Sequence, residues 1–218
     1  MNTLKWKICG LKDAENIGHV LGLRPDYIGF IFYGRSPRYV GDLSADFASS
    51  ITTANKVGVF VNAEEEIIYQ AIENYGLNVV QLHGNERPDL CKALRQHGVK
   101  VIKAFGISEG FDWSILEQYI GDVDYFLFDT KHIAYGGSGQ VFDWSLLKEY
   151  PFGIPYFLSG GIALDNLKDL LSKVNDKRLY AIDVNSRFEI RPGLKDVELL
   201  RKAGALLEQN ITAREINE

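Results

Sequence analysis

The chain has 218 residues, 46% of them hydrophobic and 24% charged, with 21 glycines and 6 prolines; this is the composition of an ordinary globular protein and excludes disordered and fibrous classes. Its formal net charge is -5, and its lysines and arginines are dispersed, which leaves no electrostatic footprint for nucleic acid. No apolar run approaches the roughly 20 residues of a membrane span. The charged start Lys5-Trp6-Lys7 leads into Cys9-Gly10-Leu11-Lys12-Asp13 rather than the apolar run of a signal peptide. A cytoplasmic location is therefore expected, with Cys9 and Cys91 reduced.

In chain order, short apolar runs predict strands at Trp6 to Ile8, Tyr27 to Phe32, Lys56 to Val61, Val79 to Leu82, Val99 to Ala104, Tyr125 to Phe128, Tyr156 to Leu158 and Tyr180 to Val184. Amphipathic stretches between and after them predict helices over Asp13 to Leu21, Ser44 to Thr53, Ala63 to Tyr75, Arg87 to Gln96, Trp113 to Tyr119, Asp143 to Glu149, Leu164 to Val174 and Asp196 to Asn210. Asp13 and Asp143 serve as start signals, with Asp165 in the first turn of another helix, and Gly22, Gly76 and Gly98 as stops. Alternating strands and helices require crossover connections, so the strands should be parallel. Eight such units favour a single (β/α)8 barrel, with an open doubly wound sheet as the alternative. The chain reads as one domain over 1–218, its polar end frayed from about 212.

Residues two apart on a strand share a face, so Lys7 and Cys9 lie together, as do Gln81 with His83 and Asp183 with Asn185. Lys103, Asp129 and Ser159 end other strands in the same manner. In a barrel these polar positions would gather at the carboxyl-terminal mouth, where active sites of this fold are built. Each has a structural alternative: Cys9 as a small buried hydrophobe, Gln81 and His83 as a satisfied polar layer, Asp129 as a cap of the next loop. Their convergence on one mouth favours chemistry, because a structural core avoids unpaired buried polar groups. Cys91 has no motif around it and reads as packing.

Leu158-Ser159-Gly160-Gly161-Ile162 follows the seventh strand and Asp183-Val184-Asn185-Ser186-Arg187 the eighth. Glycines there let backbone N–H groups approach an anion, which points to a phosphorylated substrate. Neither G-x-G-x-x-G nor G-x-x-x-x-G-K-[ST] occurs, which disfavours dinucleotides and nucleoside triphosphates. His19, His83, His97 and His132 are scattered, so no metal is indicated. A glycine-rich loop, Gly136-Gly137-Ser138-Gly139, stands after the sixth strand.

Several motifs in order resemble those of the phosphoribosylanthranilate isomerases. They are Lys7-Ile8-Cys9-Gly10, Ser36-Pro37-Arg38-Tyr39-Val40, Val80-Gln81-Leu82-His83-Gly84, Phe128-Asp129-Thr130, Leu158-Ser159-Gly160-Gly161, and Asp183-Val184 with Pro192-Gly193-Leu194-Lys195-Asp196. The resemblance runs from Lys7 to Asp196. It implies a (β/α)8 barrel of tryptophan biosynthesis that isomerises N-(5'-phosphoribosyl)anthranilate to 1-(2-carboxyphenylamino)-1-deoxyribulose 5-phosphate. It also implies that the reaction needs no cofactor or metal, and no obligate protein partner is evident from the sequence. By the same resemblance Cys9 is the general base and Asp129 the general acid, Arg38 pairs with the anthranilate carboxylate, and His83 lines the sugar site. Gly160, Gly161, Asn185 and Ser186 hold the phosphate through backbone N–H groups, and Gly136 to Gly139 form a loop that closes over the substrate.

At their ordinary pKa values of about 3.9 and 8.5 Asp129 would be ionised and Cys9 protonated at neutral pH, so both need tuning; Lys7 is expected to favour the thiolate. Arg187 stands where the family pattern has glycine, and a positive φ there would be strained. Two rivals remain: another sugar-phosphate isomerase, epimerase or aldolase on the same scaffold, and a phosphosugar-binding protein without catalysis. A Schiff-base aldolase would draw on Lys7 or Lys103.

Overall fold

In the computed structural model residues 4–130 and 143–216 are described, with side chains up to residue 209. All eight apolar runs form strands: β1 (Lys5–Ile8), β2 (Tyr27–Ile31), β3 (Asn55–Phe60), β4 (Val79–Leu82), β5 (Lys100–Ile107), β6 (Tyr125–Thr130), β7 (Tyr156–Leu158) and β8 (Leu179–Val184). Each pairs in parallel with the next, and β8 returns to β1 with Lys5 opposite Ala181 and Ile8 opposite Val184. The sheet is therefore a closed barrel, and the open doubly wound alternative falls away.

Strand alternation separates two apolar layers. Ile8, Phe30, Phe60, Leu82, Phe126 and Ile182 face outward and pack with helix residues such as Ile17, Ile68, Leu94 and Leu167. Tyr27, Val57, Val79, Ile102, Leu127 and Phe157 fill the barrel, together with Cys9. Full burial of one such large apolar side chain stabilises the fold by about 1.5–3 kcal/mol.

The crossover helices begin and stop for local reasons. In α1 (Ala14–Leu21) the Asp13 carboxylate accepts the Asn16 N–H at 2.8 Å. Helix α2 (Ala45–Ser50) ends before the expected Thr53. The Ser49 and Ser50 hydroxyls turn back onto the carbonyls of Asp46 and Phe47, and the following β-branched Ile51, Thr52 and Thr53 are poor helix formers. Helix α3 (Glu65–Tyr75) ends at Gly76 with φ 59°, and α4 (Pro88–His97) begins with a proline in its first turn and ends at Gly98 with φ 101°.

The next two crossovers, Trp113–Tyr119 and Trp144–Glu149, are 3-10 helices. In both, an aspartate (Asp112, Asp143) accepts the N–H of the serine two residues on, at 3.0 and 2.9 Å, which tightens the first turn of a short segment. Helix α5 (Leu164–Lys173) follows β7.

Beyond β8 the chain makes a 3-10 turn, Ser186–Phe188, and then an antiparallel hairpin of β9 (Glu189–Arg191) and β10 (Leu194–Lys195), neither of which was expected. Asn16 of α1 holds this hairpin by exchanging two hydrogen bonds with the Lys195 backbone, at 2.8 and 3.0 Å. Helix α6 (Val197–Ile216) runs past position 212, where a frayed end was expected. Among the described residues no helix is long and apolar enough to cross a membrane.

Candidate active site

The carboxyl ends of the strands surround a cavity of about 670 Å³. All eight residues singled out as catalytic or binding groups line it: Cys9, Arg38, His83, Asp129, Gly160, Gly161, Asn185 and Ser186. The loop Gly136 to Gly139 and His132 lie outside the described residues. His97 stands away from the mouth, near Glu73 at 3.4 Å. Cys91, on α4, is fully buried, and burial pushes its thiol up to about 12, consistent with packing.

Cys9 follows β1 on the inward face, above Lys7. The Lys7 ammonium, fully buried, donates to Asp183 Oδ1 at 2.9 Å across the β1–β8 seam, where the two residues are in register. For Lys7, burial opposes the charge, but Asp183 and the Cys9 sulfur outweigh it and hold its pKa above the ordinary lysine value. For Asp183, burial outweighs Lys7 and pushes the carboxyl up.

Burial also pushes the Cys9 thiol up. Lys7 pulls the other way, Asp183 adds to burial, and Lys195 opposes it. Lys7 favours the thiolate, as expected, but removal from water outweighs it.

Gly29 on β2 makes room for the thiol. A Cβ there would stand 2.7 Å from Cys9 Sγ and 3.1 Å from Cys9 Cα. Gly29→Ala is expected to cost about 1–3 kcal/mol in overpacking and, by displacing the sulfur, to lower kcat by on the order of 100-fold. A thermal melt together with steady-state rates checks this; an unchanged kcat would mean that the sulfur's position is unimportant.

Asp129 closes the inward face of β6. Its Oδ1 accepts the Thr130 N–H at 2.7 Å, and Oδ2 lies 3.6 Å from His83 Nε2. That separation suits an electrostatic contact and is too long for a hydrogen bond. Gln81 Nε2 is 2.8 Å from His83 Nδ1. With the amide donating, the imidazole proton sits on Nε2, toward Asp129. Gly160, at φ 93°, approaches the same carboxylate so closely that a Cβ would stand 2.8 Å from Asp129 Oδ1 and 2.5 Å from Thr130 N. Gly161 follows with φ 64°, so the turn after β7 twice uses backbone conformations that side chains disfavour.

One expectation about a charged group changes. Lys103 does not end its strand, because β5 continues to Ile107. Alternation then places it opposite Leu82 and Phe126, residues of the outward layer. Its ammonium binds Glu86 at 3.2 Å and the Gly84 carbonyl at 2.8 Å, so neither it nor the ion-paired Lys7 stands as a free amine.

Arg38 lines the cavity already engaged: its guanidinium grips Glu189, Nη2 to Oε2 at 2.7 Å and Nε to Oε2 at 2.9 Å. Arg187 lies in the Ser186–Phe188 turn and is not among the described non-glycine residues with positive φ, which are Arg24 and Asn62. No strain attaches to it, and it reaches the cavity rim as an exposed cation.

Glu189 and Lys195 are the charged cavity supports that sequence reasoning missed. Pro192-Gly193-Leu194-Lys195 was visible as a motif, but Glu189 and its partner Arg38 are 151 positions apart.

A closed (β/α)8 barrel with a thiol, a carboxyl and paired cations around one mouth defines an enzyme of the acid–base type. A family model described as N-(5'phosphoribosyl)anthranilate (PRA) isomerase matches residues 6–204. An N-(5'-phosphoribosyl)anthranilate isomerase from Parabacteroides distasonis is 43% identical over 198 residues, covering 89% of each chain. The crystal structure of phosphoribosyl anthranilate isomerase from Thermotoga maritima superposes with a TM-score of 0.82 at 34% identity, covering 96% of this chain and 99% of that one. A further structure of such an isomerase, in complex with reduced 1-(o-carboxyphenylamino)-1-deoxyribulose 5-phosphate, gives 0.80 at 31% identity over 94% and 99%. The chain belongs to the N-(5'-phosphoribosyl)anthranilate isomerase family.

Proposed function

We infer that the chain isomerises N-(5'-phosphoribosyl)anthranilate to 1-(2-carboxyphenylamino)-1-deoxyribulose 5-phosphate in tryptophan biosynthesis. The observation that carries this is the placement of Cys9 and Asp129 on one mouth, after β1 and on β6, three strands apart around the barrel.

The reaction is an Amadori rearrangement. Asp129 gives its proton to the furanose ring oxygen as the C1–O bond breaks, and the anthranilate nitrogen supplies the electron pair that forms C1=N. The Cys9 thiolate takes the proton from C2, leaving an enolamine. That enolamine ketonises: C1 gains a proton and the C2 hydroxyl loses one, directly or through water, so that the Cys9 thiol gives up its proton and the Asp129 carboxylate regains one. Atoms and charge then balance as an isomerisation, with one acid and one base.

Arg38 takes the anthranilate carboxylate. The N–H groups of Gly160, Gly161, Asn185 and Ser186 hold the phosphate, with Arg187 adding charge at the rim. His83 lines the sugar site beside Asp129. The protein works as one barrel domain over 1–218, in the cytoplasm, on a small phosphorylated molecule. It needs no cofactor, metal, nucleic acid, membrane or obligate protein partner.

Expression in a bacterium deleted for its own isomerase tests the activity. Growth without tryptophan supports the reading. Folded, expressed protein that fails to restore growth would instead favour another phosphosugar reaction, or binding alone.

A further inference from the structure

Arg38 does not face the cavity as a free guanidinium. Glu189, on the hairpin after β8, holds it side-on: Nε lies 3.0 and 2.9 Å from the two carboxylate oxygens, and Nη2 lies 2.7 Å from Oε2. The same carboxylate accepts Lys195 Nζ at 2.8 Å and the Gly193 N–H at 3.0 Å. The Glu189 side chain is only 3% exposed and that of Lys195 is fully buried. Burial raises the Glu189 carboxyl, but Arg38, Lys195 and the Gly193 amide together hold it below the usual range, so it is an anion at neutral pH.

Lys195 also reaches Asn185, donating to its Oδ1 at 2.8 Å. The chain therefore runs Arg38–Glu189–Lys195–Asn185, from the loop after β2 to the loop after β8. Gly10 marks how tightly its ends converge, since a Cβ there would stand 2.8 Å from Arg38 Cδ and 2.6 Å from Asn185 Oδ1.

Two consequences follow from geometry and charge. A side-on grip occupies the Nε–Nη2 edge and leaves the Nη1–Nη2 edge for an incoming carboxylate, which can meet it with two parallel hydrogen bonds. Burial lowers the Lys195 ammonium's pKa and Glu189 opposes that; with Lys195 protonated, two cations around one carboxylate carry a net charge of +1, so Glu189 orients Arg38 without cancelling its attraction for an anion.

We propose that Glu189 and Lys195 are positioning residues that present the end-on edge of Arg38 to the substrate's aromatic carboxylate and tie that subsite to the phosphate loop through Asn185. This rests on the reading of Arg38 as the carboxylate-binding group.

The test compares two ligands as competitive inhibitors of the complete protein. The reduced aminoketose product carries both the aromatic carboxylate and the phosphate, whereas ribose 5-phosphate carries the phosphate alone. In Glu189→Gln, the reduced product is expected to bind about tenfold or more weakly, with ribose 5-phosphate changed by less than about twofold. KM should rise by a similar factor with kcat nearly unchanged, the sign of lost uniform binding.

Arg38→Met separates the two readings. If it leaves the reduced product bound as tightly as in the wild type, the Arg38 reading fails and the proposal falls with it. If it weakens that ligand while Glu189→Gln does not, Arg38 stands and the positioning role is overturned. Equal weakening of both ligands in Glu189→Gln would make Glu189 a general support of the loop and would also overturn it. Should Glu189→Gln melt too low to assay, Glu189→Asp keeps the charge but shortens the reach; a smaller loss confined to the reduced product supports the proposal, and no selective loss refutes it.

Discussion

Lys7→Met is expected to destabilise the barrel by about 3–5 kcal/mol, a large share of the roughly 5–15 kcal/mol that holds a typical domain folded. The Lys7 ammonium and the Asp183 carboxylate are both buried and meet at 2.9 Å inside the β1–β8 seam. Removing the lysine leaves a carboxylate without a partner in a medium that does not solvate it.

Lys7→Met/Asp183→Asn removes both charges and is expected to recover much of the loss, which a double-mutant cycle from urea midpoints reads directly. The single variant also carries a pH signature. An unfolded aspartate ionises near pH 4, whereas burial keeps the folded, partnerless one protonated to higher pH. The penalty should therefore be small near pH 4 and grow as pH rises. A cost under about 1 kcal/mol at pH 7, or one independent of pH, would show that the pair is not holding the seam.

Cys9→Ala and Asp129→Asn are each expected to leave a folded barrel and to lower kcat by about 100- to 10,000-fold, the usual contribution of one general acid or base. Neither substitution leaves a charged group newly buried without its partner. Both residues line the cavity, and neither makes the kind of multiple structural contacts that hold Glu86 or Glu189.

For the base, pH supplies an independent readout. Only the thiolate can accept the C2 proton, and burial places the thiol's pKa above its ordinary value. The kcat/KM of the wild type, which reports the free enzyme, should therefore climb with pH through and beyond the usual thiol range near 8.5. A kcat/KM that is flat from pH 7 to 9 would remove Cys9 from that role.

Much of this was legible because strand parity is a local property. Val79–Leu82 and Tyr156–Leu158 are bounded by turn residues and fall where the apolar runs predict. The inward placement of Cys9, Asp129 and Asp183 follows from counting twos along their strands. Lys103 shows the limit of the same property: a strand that looks finished at Ala104 puts it at the mouth, whereas Phe105-Gly106-Ile107 continues β5 past it.

The hairpin of β9 and β10 carried almost no signal. Its strands are three and two residues long, and of its two large apolar residues Ile190 is 69% exposed and Leu194 only partly buried, so no alternation marks a buried face. The grip of Glu189 on Arg38 was beyond reach altogether, because a pairing between residues this distant in sequence exists only once the barrel has closed. The two short crossovers read as helices since hydrophobic spacing hardly separates a single α turn from a 3-10 turn; the aspartates at their heads tipped them to the tighter form.

The most direct test follows the loss of fluorescence of N-(5'-phosphoribosyl)anthranilate, generated in place from anthranilate, after non-enzymatic decay is subtracted. Folded wild type, Cys9→Ala and Asp129→Asn are compared side by side. The wild type should consume the substrate and both variants should lose about two to four orders of magnitude in rate. A wild type no faster than buffer, or a Cys9→Ala protein with the full rate, would contradict the assignment of the thiol as the base of an isomerase.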